Sequence, residues 1–353
     1  MSTTALSQDT LRRVNRWKLA GVIALLISLF TVLIAVENLL VSSLLAFVIA
    51  YTAGPVVNYL ERRGVSRGLA TGLTFVGAGL LILGIGAWLA PYLAETISRL
   101  QADMPRFITG LGQYVQDFEG RVHAYAGPFS NFEVTSKVET RLTDWTHDVF
   151  QNLPSVLKTF FTVMVLGPFL AFFMIKDGRS VSTLMLSLVP NYLFEPALSL
   201  QHQINLQIGH FVRARLLESL IVAAVTTIGL LIVGFPYAVL LGLVAGLTNL
   251  IPYIGPLIGA VPAILIALVN GYSGLSVLAV VLVYVVAQII DAGFLIPLMV
   301  AKIVDLHPVT VIIVIIAGAQ LMGVLGMIIS IPVASTLKVT VSTVYRHLID
   351  TRT

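Results

Sequence analysis

One carboxylate stands apart in this sequence. Between Ser219 and Ala301 the only acidic side chain is Asp291, and that interval contains no Lys or Arg. A carboxylate at the centre of a bilayer-spanning helix costs about 2.5–3.5 kcal/mol on insertion scales, so it normally faces a polar interior and binds a proton or a cation. Gln288 lies one helical turn earlier on the same face. The other reading of Asp291 is an interfacial residue that caps its helix or pairs with Lys302. Polar groups gather at two further places. Thr248 and Asn249 precede Pro252, Tyr253, Gly255 and Pro256, and Gln320 precedes Gly323 and Gly326. These are candidate substrate or ion ligands, or groups that only satisfy backbone freed by a broken helix. Glu218 reads as the partner of Arg215 or Arg213 at a cytoplasmic edge. The six histidines are scattered, no pair of them has metal-ligand spacing, and there is no GxxxxGK[ST] phosphate loop. No catalytic residue, metal site or organic cofactor is therefore assigned, and the expectation is a protein that is not an enzyme.

The elements that must position these groups follow from composition. Of 353 residues, 57% are hydrophobic and 11% charged, against about 25% charged in soluble domains. From Ser219 to Ile290 no charged residue occurs in 72 positions, and at about 20 residues per crossing that is room for about three membrane passages. The net charge of +4 does not point to nucleic acid, because the Lys and Arg sit at the ends of apolar runs, where membrane topology puts them. Cysteine is absent, so neither disulfides nor thiolate metal sites enter the argument.

Charge-free windows predict spans at about 19–36, 39–60, 68–93 and 159–175. Glu37 and Asn38 form a tight turn between the first two, and Pro55 bends the second. Arg12, Arg13, Arg16 and Lys18, then Arg62, Arg63 and Arg67, place the N-terminus and the loop 61–67 in the cytoplasm. Residues 95–158 are polar, with eight acidic and six basic side chains. Ile97, Leu100, Met104, Phe107, Leu111, Tyr114 and Phe118 recur there every three or four positions, the seam of an amphipathic helix. Pro105 predicts a kink or restart, GPFSN at 127–131 a turn, and Val138, Leu142, Trp145 and Val149 a second amphipathic helix. The result is an extracytoplasmic helical hairpin that serves as a lid, an inter-subunit element or a cover for its own spans. The fourth span ends at Lys176–Arg179. Ala197, Leu200, Ile204, Ile208 and Phe211 then mark a helix lying along the cytoplasmic interface, anchored by Arg213 and Arg215.

The C-terminal half reads as two similar units. Each has an apolar helix, at about 216–233 and 275–296, followed by a segment broken by Gly and Pro. The breaks are NLIPYIGPLIGAVP at Asn249–Pro262 and QLMGVLGMIISIP at Gln320–Pro332. Backbone interrupted at membrane depth is tolerated only where protein buries it or it lines a wet cavity, and transporters place binding sites at paired interruptions. Two topologies stay open: re-entrant hairpins at about 235–270 and 308–337, inverted relative to each other, or full crossings. The fold expected is an all-α polytopic integral membrane protein of about eight membrane segments, two of them broken or re-entrant. Its parts are helices 1–3 (1–93), the external hairpin (94–158), helix 4 with the interfacial helix (159–215), a transport core (216–340) and a cytoplasmic tail (341–353).

The stretch GLVAGLTNLIPYIGPLIGAVP (Gly242–Pro262) resembles the signature of the autoinducer-2 exporter family of bacterial membrane proteins. The likeness extends in order through ERRGVSRGLA (Glu61–Ala70), MIKDGRS (Met174–Ser180), FVRARLLES (Phe211–Ser219), QIIDAGFLIPLMVAKIVDLHP (Gln288–Pro308) and GVLGMIISIP (Gly323–Pro332). Where family members often carry Glu, this chain has Asp291. The resemblance implies a secondary carrier, uncoupled or coupled to H⁺ or Na⁺, in the bacterial cytoplasmic membrane, with both termini cytoplasmic. Its partners would be the lipid bilayer, a small polar solute such as autoinducer-2 or a monovalent cation, and further copies of itself, with a pentamer as the expected oligomer. Two alternatives accompany this reading: a Na⁺(Li⁺)/H⁺ antiporter using Asp291, and a structural or regulatory membrane protein that transports nothing.

Overall fold

Inside hydrocarbon every backbone N–H and C=O must find its partner within the chain, so long apolar runs become helices. The computed structural model describes residues 24, 27–28, 31–33, 35–126, 134–187, 189, 194–251, 255–300 and 306–350. Among them there is no strand. The helices are α1 (Leu39–Arg62), α2 (Arg67–Ala126), α3 (Val134–Ser187), α4 (Phe194–Ile232), α5 (Ala238–Thr248), α6 (Gly255–Val269), α7 (Gly274–Ile290) and α8 (Pro308–Asp350). A π-helical segment, Asp291–Val300, continues α7. Among the described residues six helical stretches are long and apolar enough to cross a membrane, and α5 and α6 are shorter apolar helices. The chain is an all-α, multi-pass membrane protein, as the composition required. Large apolar side chains face outward: Leu69, Leu73, Val76, Leu80 and Leu83 of α2 are each more than half exposed, a surface that only lipid or another protein can cover. The span at 19–36 lies mostly outside the described residues.

The chain divides into two compact units. The first comprises Met1–Gly79, Lys158–Val212 and Ile331–Thr353. Asn38, in the left-handed backbone region at φ 62°, makes the tight turn before α1, and α1 runs on through Pro55 to bury Ser42, Ala46 and Val57. Val57 packs with Ala70 and Ile175. Arg67 donates to the Ile175 carbonyl at 2.9 Å and pairs with Glu61 at 3.2 Å. Arg179 grips the same Glu61 with two bonds of 2.7 and 3.0 Å.

The second unit, Leu80–Leu157 and Arg213–Ser330, holds the first broken segment and the turn of the second, and at each the chain folds back on itself. α5 and α6 have 11 and 15 residues, about 16 and 22 Å at 1.5 Å per residue, short of a ~30 Å hydrocarbon core. They run antiparallel: a Cβ on Gly255 would lie 1.9 Å from the Thr248 carbonyl oxygen, and one on Gly259 2.8 Å from Ala245 Cα. At the open end of this hairpin Phe235 and Tyr272 stack with ring centroids 5.6 Å apart, so the chain enters and leaves at one place. The second fold-back is at Met322 and Gly323, where the backbone leaves helical geometry and Gly323 takes φ 60°, ψ −141°. That region of backbone space is open to glycine. In a straight helix Gly318 and Gly326 would stand about 12 Å apart. Here a Cβ on Gly318 would sit 2.4 Å from the Gly326 carbonyl oxygen.

Helix α4 is fitted to the first hairpin by small residues at four-residue spacing. A Cβ on Gly242 would strike Thr227 Oγ1, and one on Gly246 would strike Ala223 Cβ, so the two backbones approach as only small residues permit. Ser219 donates to the Gly246 carbonyl. One turn further, Arg215 donates to the carbonyls of Asn249 and, at 3.4 Å, Leu250. These are carbonyls that the break at the end of α5 leaves without helical partners, and a cation at that helix end also meets the favourable end of its dipole.

Several expectations are revised. No restart occurs at Pro105: α2 is continuous through Pro91 and Pro105 for 60 residues, since a missing N–H removes one bond from a long, well-supported ladder. Its stripe covers neighbouring segments, with Leu100, Met104 and Phe107 packed on the core of the first hairpin and Asp103 accepting a hydrogen bond from Tyr237. The turn at 127–131 lies outside the described residues, as do the side chains of Val138, Leu142, Trp145 and Val149. The helix that carries the fourth span, α3, continues past Lys176–Arg179 to Ser187. No separate interfacial helix ends at Arg215 either, because α4 is one helix of 39 residues. Arg215 is 5% exposed and is therefore not a surface anchor.

Two outcomes follow. Arg215→Met removes the donor for the hairpin-tip carbonyls and strands the buried Glu218, so thermal or denaturant unfolding of the detergent-solubilised chain should show a loss of about 3–5 kcal/mol. A cysteine at His307 should react with an impermeant maleimide only from the face shared with the Arg62 loop, because a folded-back first hairpin leaves α7 running towards that side. Reaction from the opposite face would mean that 235–270 crosses completely.

Candidate functional site

Asp291 sits where α7 changes from α to π geometry. Pro297, inside the π segment, has no N–H to offer the Gly293 carbonyl, and its ring would crowd that oxygen in an α-helix. The wider turn removes the conflict, and such turns occur often at functional sites. Asp291 is 3% exposed. Its Oδ1 accepts from Asn249 Nδ2 at 3.3 Å, so the tip of the first hairpin is bonded to the end of α7. The alternative partner, Lys302, lies outside the described residues.

Glu218 completes the centre. It pairs with Arg215 at 2.7 Å, as expected, but its side chain is fully buried. Arg215 thus binds a carboxylate on its own helix and two carbonyls at the hairpin tip. The sequence carried a signal for this arrangement. Arg215, Ser219, Ala223 and Thr227 form one stripe of α4 that ends in small residues, while Glu218, Val222 and Thr226 form the adjacent one. Reading Arg215 and Glu218 only as an ion pair left out the hairpin-tip carbonyls that Arg215 also meets.

A small cavity lies beside this cluster, lined by Val222, Thr226, Ala245, Asn249, Tyr284, Ala287, Gln288 and Asp291. Its free space is ≈ 10 Å³ for the centre of a water-sized sphere, room for about one water. Asn249 Oδ1, Thr226 Oγ1 and Tyr284 Oη are buried there without a hydrogen-bond partner. Such groups are costly in a low dielectric unless something binds them.

Of the candidate residues, the fold brings Asp291, Asn249 and Gln288 together. Thr248 turns to its own helix, donating to the carbonyls of Val244 at 2.8 Å and Ala245 at 3.1 Å, which is the backbone-satisfying role. Gly255 serves the close approach of the hairpin arms, and Pro256 follows it at the start of α6. Pro252 and Tyr253 lie outside the described residues. Gln320, Gly323 and Gly326 belong to the second fold-back and take no part in the cavity lining.

The comparison with known proteins agrees with this architecture. Residues 23–346 match the profile of the AI-2E family transporters. The chain is 28% identical over 313 residues to YueF of Bacillus subtilis, a protein named as a candidate transport protein, covering 87% of this chain and 84% of that one. It is 26% identical over 330 residues to PerM of Escherichia coli K12, named as a candidate permease, covering 93% of each. A candidate transport protein of Mycobacterium tuberculosis is 24% identical over 326 residues, covering 90% of this chain and 86% of its own length. With its apolar helices, paired fold-backs and buried polar centre, this chain belongs to the AI-2E family of membrane transporters.

Proposed function

We propose that this chain is a secondary carrier that moves a small polar solute, of the class to which autoinducer-2 belongs, by alternating access at its two fold-backs. The observation that carries this reading is the first hairpin tip, where helix α5 ends among apolar residues and is held by Arg215, Ser219 and the Asn249–Asp291 bond. Hairpins that end at membrane depth put backbone and polar side chains where a path can open on either side in turn. Asn249, Asp291 and Gln288 are the groups assigned to solute or coupling ion, and Gly255, Pro256, Gln320, Gly323 and Gly326 to the moving tips. The setting is the bacterial cytoplasmic membrane with both termini inside, and the working unit is a homo-oligomer.

A second reading is exchange of Na⁺ or Li⁺ for H⁺ at Asp291. The cavity favours it specifically, because space for about one water fits an ion and not a furanone ring. A membrane protein that transports nothing is the remaining alternative.

Reconstituted liposomes discriminate among the three. Vesicles that carry an internal pH dye should respond to an imposed Na⁺ or Li⁺ gradient if a cation is coupled, and Asp291→Asn should abolish the response. Cells lacking the protein should retain more autoinducer-2 if the solute is that signal. Liposomes that pass neither solute nor ion under any gradient would leave only the non-transporting alternative.

A further inference from the structure

We propose that the cavity at the first hairpin tip is a site for one bound water, held jointly by Asn249 of the tip, Thr226 of α4 and Tyr284 of α7, which ties the tip to both helices beside it. The proposal goes beyond the carrier reading and does not depend on which solute or ion is moved. Whatever enters this cavity must displace the water first.

Close packing sets the frame. Helices α4 and α5 approach at Ala223 and Gly246, where a Cβ added to Gly246 would lie 2.5 Å from Ala223 Cβ. Helices α4 and α7 approach at Gly229 and Val283, where a Cβ added to Gly229 would lie 2.6 Å from Val283 Cγ1. Thr226 stands between Ala223 and Gly229, about one turn from each, and Tyr284 follows Val283. The backbones already touch on either side of Thr226, so the helices cannot close further onto the space between them. Ala245 and Ala287 in the lining are too short to fill it. What remains, ≈ 10 Å³ for the centre of a water-sized sphere, holds about one water.

The chemistry of the lining selects the occupant. Thr226, Asn249 and Tyr284 are 0%, 1% and 8% exposed, and Thr226 Oγ1, Asn249 Oδ1 and Tyr284 Oη have no hydrogen-bond partner. Left dry, each would carry the desolvation penalty of a buried polar atom. Two of the three are hydroxyls whose protons need an acceptor, while the amide oxygen needs a donor. A metal cation binds oxygens but accepts no proton, so it would leave both hydroxyls without an acceptor. Water meets all three needs. It accepts from Thr226 and Tyr284 and donates one hydrogen to Asn249 Oδ1, and about three bonds is the usual number for a buried water. Its second hydrogen is left for Asp291, which lines the same cavity. The Asn249 carboxamide is then held at both ends, Nδ2 on Asp291 and Oδ1 on the water. Since Asn249 closes α5, the tip cannot move without breaking one of these bonds.

The test is unfolding of the full chain in detergent, in choline chloride without Na⁺ or Li⁺, for Thr226→Val and Tyr284→Phe. Each variant removes a hydroxyl and keeps the shape of the side chain. With a water bound, each takes away one of its partners, and the folded-to-unfolded ratio should fall about fivefold. In a dry cavity each would relieve an unpaired buried hydroxyl, and the ratio would rise. A rise or no change in either variant overturns the proposal. A second readout needs no variant. Density of the wild-type chain in the same buffer, at a resolution that shows waters, should contain one peak about 2.7–3.2 Å from Asn249 Oδ1, Thr226 Oγ1 and Tyr284 Oη. Absence of that peak overturns the water. A peak that forms only with Na⁺ or Li⁺ also overturns it, and leaves the cation reading of Asp291 standing.

Discussion

The arrangement of the second unit around the first hairpin depends on one guanidinium. Arg215 lies buried on α4 with Glu218 one turn along its own helix and the carbonyls of Asn249 and Leu250 across from it. Ending a helix inside an apolar layer leaves carbonyls without partners, each costing several kcal/mol if nothing meets them. Arginine suits the task because its planar fork keeps its charge and can serve several acceptors at once. Remove that contact and the hairpin tip loses its donor while Glu218 loses its counter-charge. Backbone break and buried carboxylate are thus solved by the same side chain.

Close packing makes this reach possible. Glycines on α5 face Ala223 and Thr227 on α4 so closely that a single added Cβ would overlap a neighbour. In lipid, where burying apolar surface gives helices little reason to associate, such contact and interhelical hydrogen bonds carry the association. The Ser219 bond to Gly246 follows the same logic. Outward-facing Leu and Val on α2 belong to the lipid side of this economy, and their exposure is what a bilayer protein presents.

Family membership and site chemistry answer different questions. Identities of 24–28% along nearly the whole chain carry the architecture and the class of membrane transporter, while what passes depends on a few polar groups. The polar groups at the first hairpin tip surround space for about one water. That scale is the reason an ion enters the account at the first hairpin.

Much of the fold was legible because its causes are local. A 72-residue stretch without charge has no stable home but a membrane, and Gly and Pro at 249–262 and 320–332 forbid uninterrupted helix, as α5, α6 and the turn at Gly323 bear out. Asp291 could be singled out for the same reason, as an isolated carboxylate in apolar surroundings. Helix ends were less legible: Pro105 reads as a kink or restart, yet α2 continues through it, since a local breaker yields to a long hydrogen-bonded ladder. The identity of Asp291's neighbours was beyond reach. Glu218 lies 73 positions upstream and Asn249 lies 42 upstream, and only the folding back of α5 against α4 and the π turn at the end of α7 bring the three together. Periodicity along one helix reports which face is apolar; it carries no record of which polar group on another helix will meet it.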